Sequence, residues 1–269
     1  MRPDRQVVRV AAIGDLHYGR NAVAGSLQPL FAQINQNADV LVICGDLTDF
    51  GLAEEARGLG RELTVLKIPI VAVLGNHDFE SSQQDEMRSI LADAGVAILD
   101  GDSTEILGIG FAGIKGFAGG FGRRALGPWG EDIIKKFVHE AVGEALKLES
   151  ALARLRNDKR IAILHYSPIQ ETVEGEPPEI FPFLGCSRLE EPLGRYPVTA
   201  VFHGHAHHGR PEGRTTKGVP VFNVSMTLMN NLYPERPFRV IDIDMTAQSD
   251  DRRVRLDRRN AGASLANQS

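Results

Sequence analysis

Five short apolar runs in this chain each break off into a tight cluster of carboxylate, amide and imidazole side chains. The clusters read Gly14-Asp15-Leu16-His17, Gly45-Asp46-Leu47-Thr48-Asp49, Gly75-Asn76-His77-Asp78, His165-Tyr166-Ser167-Pro168 and Gly204-His205-Ala206-His207. The runs at 40–44 and 70–74 are apolar throughout, as expected of strands covered on both faces. Strands are expected at 7–14, 40–45, 70–75, 96–99, 104–114, 161–165, 198–203, 219–225 and 238–245. The last run alternates apolar and polar residues, so one of its faces should be wet. Helical spacing occurs at 27–37, 52–66, 83–94 and most clearly at 132–156, where Ile133, Ile134, Phe137, Val138, Ala141, Val142, Ala145, Leu146 and Leu148 recur. His139, among charged neighbours on that helix, reads as a solvated histidine. Strands alternating with helices make an α/β fold, and ligands gather where such strands give way to loops.

Clusters spread from Asp15 to His207 can share one centre only within one domain. With no internal repeat or dividing linker, a single domain is expected over 1–245, followed by a polar tail at 246–269. Two long segments, 113–130 and 170–197, read as lid-like loops. The first is glycine-rich and carries Arg123, Arg124 and Trp129; the second carries Glu171, Glu174, Glu176 and Glu179 with prolines and aromatic residues. With 30 Lys+Arg against 35 Asp+Glu, the net charge is -5, which argues against a protein that coats nucleic acid. Cys44 and Cys186 are the two cysteines, too few for a disulfide framework or a four-thiolate zinc site. No segment approaches the roughly 20 apolar residues of a membrane span, and residues 1–9 lack the apolar core of a leader. The expectation is a cytoplasmic protein with no membrane partner; its oligomeric state stays open.

Imidazole nitrogen and carboxylate oxygen suit first-row divalent metals such as manganese, iron and zinc. In extended backbone, residues i and i+2 share a face about 6.5–7 Å apart. Asp15 and His17 could therefore hold one ion, or His205 and His207 reach two ions about 3.5–4 Å apart. A carboxylate bridges two ions naturally, because each oxygen can take one.

In order and spacing, these clusters resemble the motifs of the calcineurin-like metallophosphoesterase superfamily: D-x-H, G-D-x-x-D, G-N-H-D/E, H and G-H-x-H. The resemblance runs from Val7 to about Ser225 and fills every motif position. It implies a four-layer α-β-β-α sandwich with two mixed β-sheets and a two-metal centre along one edge. By motif position, Asp15, His17 and His207 would bind the first metal and Asn76, His165 and His205 the second, with Asp46 bridging. The ions would be manganese, iron or zinc. Two carboxylates against two divalent ions would leave the centre net positive, fit for a phosphate ester. The implied reaction is in-line hydrolysis by a metal-bridging hydroxide. His77 would stabilise the transition state or protonate the leaving alkoxide, with Asp78 orienting its ring. Asp49 would steady a histidine ligand, and His203 would pack behind the ligands.

Protein phosphatases of the superfamily carry an arginine after G-D-x-x-D, where this chain has Phe50, and Asp78 replaces their glutamate. The repair nucleases usually need a capping or DNA-binding addition that an acidic chain of this length does not suggest. The remaining resemblance is to compact bacterial phosphodiesterases, including class III cyclic-nucleotide enzymes. The expected substrate is a small phosphodiester, with a cyclic nucleotide among the candidates and no stable nucleic-acid partner. The alternative is a phosphomonoesterase acting on nucleotides or sugar phosphates. Trp129, Phe181 or Phe183 could stack on a base, and Arg123, Arg124, Arg210 or Arg214 could hold a second anionic group. His208 could face the substrate. A non-catalytic scaffold would have replaced ligands, especially at positions 77 and 207, and none is replaced.

Overall fold

A computed structural model describes residues 6–246; the expected tail lies outside the described residues except for Thr246. Two sheets stand face to face between helical layers. The first has the order β11-β1-β2-β3-β4, built from β1 (Val7–Ile13), β2 (Val40–Cys44), β3 (Ile70–Val73), β4 (Val96–Ile98) and β11 (Arg239–Asp244). Three helices connect its parallel strands: α1 (Gln28–Asn37), α2 (Ala53–Leu63) and α3 (Gln84–Asp93). The second sheet has the order β5-β6-β7-β8-β10-β9. Its strands are β5 (Asp102–Ile106), β6 (Ile109–Gly113), β7 (Arg160–Ile163), β8 (Ala200–His203), β9 (Glu212–Arg214) and β10 (Pro220–Asn223). Each sheet is parallel at its centre and antiparallel towards an edge: β11 on β1, β5 on β6, and β9 on β10.

Alternation along the strands builds the layers. Val40, Val42 and Cys44 face the second sheet, where they meet Phe111, Ile161, Ile163 and Phe202. Leu41 and Ile43 face the helices and pack with Phe31, Ile34, Leu59, Met87 and Leu91. Both faces are buried, so every residue of β2 is apolar. The outer face of the second sheet is covered by α4 (Asp132–Arg154) and α6 (Glu190–Arg195). The chain therefore adopts the expected four-layer α-β-β-α arrangement.

The structure corrects several local expectations. The run at 104–114 is two strands, because Leu107 and Gly108 both have positive φ (52° and 81°) and form a two-residue hairpin turn. On α4 the buried stripe is Val138, Ala141, Leu148 and Leu152, whereas Ile133, Val142 and Leu146 stand exposed. The 170–197 segment holds α5 (Phe181–Leu184) as well as α6. It is stitched to the 113–130 segment by hydrogen bonds from Gly119 N to Pro182 O (2.7 Å), Gly120 N to Gly185 O (2.9 Å) and Ser187 N to Gly120 O (3.1 Å). A further helix, α7 (Met226–Leu232), and strand β9 carried no periodic signal.

Candidate metal centre

The central strands of both sheets run parallel, so their carboxyl ends open at one edge of the molecule. Asp15 follows β1, Asp46 follows β2, Asn76 follows β3, His165 follows β7 and His205 follows β8. The backbone there is bent rather than extended. Asp15, His17, Asp46 and His205 are four of the six described non-glycine residues with positive φ, at 57°, 45°, 47° and 70°. Such left-handed geometry costs each residue about 1 kcal/mol or more and persists where the surroundings enforce it. It aims side chains from separate loops at one point. Two glycines make room: a Cβ on Gly75 would overlap the Asp46 carboxylate, and one on Gly204 would overlap that of Asp15.

Three groups of ligand atoms result among the described residues. Asp15, His17 and His207 form the first, Asp46, His165 and His205 the second, and His17, Asp49 and His77 a third that shares His17 with the first. Asp46 links the first two, with Oδ2 3.8 Å from His17 Nε2 and Oδ1 3.4 Å from His165 Nε2. Asn76 joins the second group through Oδ1, 2.8 Å from His165 Nε2.

The local chemistry calls for cations. His165 Nδ1 donates to Cys44 O (2.9 Å), so its Nε2 presents a lone pair to the oxygens of Asn76 and Asp46. Electron pairs converge there, and a metal ion resolves the conflict. His17 Nε2 is buried beside Asp46 with no hydrogen-bond partner. Burial pushes the pKa of Asp46 well above the usual carboxylate range, and the charges of Asp15 and Asp78 add to it. Burial likewise holds His165 well below its usual value and His205 at about 3. His207 moves the other way, because its Nε2 bonds Asp15 Oδ1 at 3.2 Å. The residues fit two divalent ions, and acid weakens such binding by protonating the ligands.

These shifts set an expected pH response of the metal-free fold. Burial lowers the pKa of His17, His165, His203 (about 4) and His205 (about 3). The unfolded chain takes those protons near pH 6.5, but the folded chain resists them. Stability present above that pH is therefore lost on acidification from about 6.5 towards 4, by up to about 1.4 kcal/mol per pH unit for each histidine. Asp46 and Asp78, both raised mainly by burial, and His207, raised by its bond to Asp15, act in the opposite sense. The four lowered histidines outweigh these three groups. Chelator-treated protein should melt lower at pH 5 than at pH 7; an equal or higher melting temperature would contradict the arrangement.

His77 stands beside the first group. Its ring meets His17 edge-on with centroids 4.6 Å apart, and its backbone N–H donates to Asp46 Oδ1 at 2.9 Å. Its Nδ1 donates to Asp49 O (2.8 Å) and lies 3.3 Å from Glu80 Oε1, leaving Nε2 for a reacting group. Asp49 Oδ1 is 3.6 Å from His17 Nδ1. Asp49 thus orients two rings, one through its backbone and one through its side chain.

Asp78 does not orient the His77 ring. Its fully buried carboxylate accepts from Leu47 N (3.1 Å), Thr48 N (2.9 Å), Thr48 Oγ1 (2.8 Å) and Gly75 N (2.8 Å). It ties the Asp46 loop to the Asn76 loop, because four donors outcompete one imidazole. His203 is buried behind the centre, with Nε2 on Thr172 Oγ1 and Nδ1 on Gly204 O, both at 2.8 Å.

The expected substrate contacts fare differently. Arg123, Arg124 and Trp129 are exposed and make no described hydrogen bond, ion pair or ring contact with a ligand residue. His208 is exposed, with its backbone N–H on Glu176 Oε1 at 2.7 Å. Arg210 pairs with Glu174 (3.0 Å), and Arg214 donates to Gly218 O (2.9 Å). Phe181 packs with Val173, Leu184 and Ala206. Phe183 reaches the centre, its backbone oxygen taking His205 Nε2 at 3.1 Å while its side chain is 60% exposed.

Sequence reasoning missed Glu80 and Asn223. Glu80 lies one helical turn after His77, a spacing that could have revealed it. Asn223 Nδ2 donates to Ala206 O (2.7 Å), between the candidate ligands His205 and His207. Only the neighbouring strand brings it there, so no local signal existed.

Residues 8–209 match the profile of the calcineurin-like phosphoesterase family. The chain is 24% identical over 262 residues to the probable glycerophosphodiester phosphodiesterase GpdQ of Arcobacter nitrofigilis, covering 91% of this chain and 77% of that one. It resembles the crystal structure of phosphopantetheinyl hydrolase PptH from Mycobacterium tuberculosis with a TM-score of 0.59 and 17% identity, covering 90% of this chain and 96% of that one. The crystal structure of TT1561 from Thermus thermophilus gives a TM-score of 0.52 and 14% identity, covering 87% of this chain and 98% of that one. These structural likenesses concern the fold.

Proposed function

The chain belongs to the calcineurin-like phosphoesterase family, and from that premise we propose that it hydrolyses small phosphodiesters with two bound transition-metal ions. The observation that carries this reading is the buried carboxylate of Asp46, flanked by His17 Nε2 at 3.8 Å and His165 Nε2 at 3.4 Å. When bound, two such ions supply Lewis acidity and lower the pKa of a coordinated water.

The chain's own groups supply the rest. Asp15 holds the His205 loop by accepting its backbone N–H (2.9 Å) and bonds the His207 ring. Cys44 O sets the His165 tautomer and turns Nε2 towards the centre. His77 Nε2 is placed to hydrogen-bond the leaving oxygen, donating to it when the ring is protonated. Preference for a diester draws on the GpdQ relative, a probable glycerophosphodiester phosphodiesterase; a glycerophosphodiester and a cyclic nucleotide are the leading substrate types. Phe50 and Phe183, 51% and 60% exposed, offer apolar surface for the non-reacting part of the ester.

Purified protein should carry transition metal and hydrolyse bis(p-nitrophenyl) phosphate, with stimulation by manganese and loss of activity on chelation. Absence of both metal and hydrolysis would overturn the enzyme reading. In a panel of cyclic nucleotides, glycerophosphodiesters and monoesters, turnover of monoesters alone would overturn the diester preference.

A further inference from the structure

Lys115 follows β6 at the same edge of the molecule as the metal-binding groups. Its carbonyl accepts the backbone N–H of His165 (3.0 Å) and of Tyr166 (3.1 Å), tying it to the second group. Its ammonium donates to one protein acceptor among the described residues, Gly116 O at 2.9 Å. Three rings surround it: Phe117, Tyr166 and Phe79, with centroids 4.9, 5.4 and 5.5 Å away. The Tyr166 ring also lies 4.5 Å from that of His205 and 5.4 Å from that of His165. One aromatic ring therefore separates this cation from two candidate ligands, and its charge helps hold His165 neutral.

The carboxylate of Glu144, whose charge acts on Lys115, is already engaged. Glu144 accepts from Gly116 N (2.7 Å) with one oxygen and from Lys147 Nζ (2.7 Å) with the other. Arg210, by contrast, has a carboxylate partner in Glu174. Lys115 is largely withdrawn from water, and burial lowers its pKa. Aromatic faces compensate only part of the lost hydration of an ammonium. An anion would complete its coordination.

We propose that Lys115 is a second anion-binding point of the centre, taking a negatively charged group that the substrate carries beyond its scissile phosphate. The same charge disfavours a quaternary ammonium at that place, even though aromatic rings otherwise suit one. This assignment rests on the phosphodiesterase reading and narrows its substrate class to diesters with an additional carboxylate or phosphate.

Three p-nitrophenyl phosphodiesters with the same leaving group test it, the second alcohol being ethanol, 3-hydroxypropionate or choline. Manganese-loaded wild-type protein should prefer the carboxylate over the choline ester in kcat/KM by roughly tenfold or more, the scale of one charge pair in a partly buried site. Lys115→Gln should bring that ratio close to one, and Lys115→Arg should keep most of it. Hydrolysis of all three esters without charge preference by the wild type overturns the subsite while leaving the phosphodiesterase reading intact. A preference unchanged in Lys115→Gln overturns it as well. Hydrolysis of none overturns the phosphodiesterase reading and the subsite with it. The wild-type preference needs no variant, so poor folding of Lys115→Gln does not protect the proposal.

Discussion

Asp46→Asn should strip the protein of most of its bound metal and lower kcat by about 10³-fold or more, since each lost 1.4 kcal/mol of metal-derived stabilisation is a factor of ten. The two oxygens of Asp46 face His165 Nε2 at 3.4 Å and His17 Nε2 at 3.8 Å. An amide offers one oxygen; its NH2 group would turn donors towards the other ion. The substitution also removes one of the two carboxylates among the seven candidate ligands. Its shape is nearly unchanged, and its oxygen can still accept the His77 backbone N–H, a bond of 2.9 Å in the wild type. The fold should therefore survive.

Loss of metal is separable from loss of fold by the sign of the pH effect. The folded pKa of Asp46 is raised by burial and by Asp15 and Asp78. Its ionisation therefore destabilises the metal-free fold as pH rises above the ordinary carboxylate range, near 4. Without metal at pH 7, Asp46→Asn should melt at or above the wild-type temperature. With metal, the wild type alone should gain stability by binding. Metal analysis beside thermal unfolding reads both, and a variant with a full metal complement and normal turnover would refute the bridging role.

His77→Ala should behave in the opposite manner. Metal content should stay near that of the wild type, while kcat falls about 10²- to 10⁴-fold, the usual range for a positioned acid or hydrogen-bond donor. Its Nδ1 is committed to Asp49 O at 2.8 Å, and although its ring lies within reach of a group with His17 and Asp49, it is outside the two groups that Asp46 links. The backbone N–H that holds Asp46 survives in alanine. KM should change little if His77 acts chiefly in the transition state. Loss of both metals would show the ring to be a ligand.

Much of the fold was legible because its central strands are buried on both faces. Residues 40–44 have no polar position to spare, and that pattern marks a strand at the centre of a layered fold. The hairpin inside 104–114 was not legible: Leu107-Gly108 lacks the Asn-Gly signature, and apolar residues on both sides hide the break. The burial of Glu144 on α4 escaped for a different reason. Its partner is the backbone of Gly116, and a helix pattern cannot announce a contact with a distant loop.

The candidate ligands were legible in the sequence, whereas the contacts of the supporting groups were not. The spacing of Asp15 and His17 placed them in one motif, but extended geometry was the wrong reason: their φ angles are 57° and 45°. Asp78 sits next to His77 in the chain, yet its carboxylate turns away to four donors around the Asp46 loop.

The sequence by itself determined which residues end the strands, and hence which imidazoles, carboxylates and amide stand at one edge of the fold. That information is local, written in the alternation of apolar strands with short polar loops. Only the tertiary structure decided that Asp46 lies between two groups, that Asp49 rather than Asp78 steadies His77, and that Lys115 is caged beside His165. Each of those facts depends on loops from different strands meeting in space. The donor nearest a side chain in space governs its hydrogen bonds, however far away it lies in the chain.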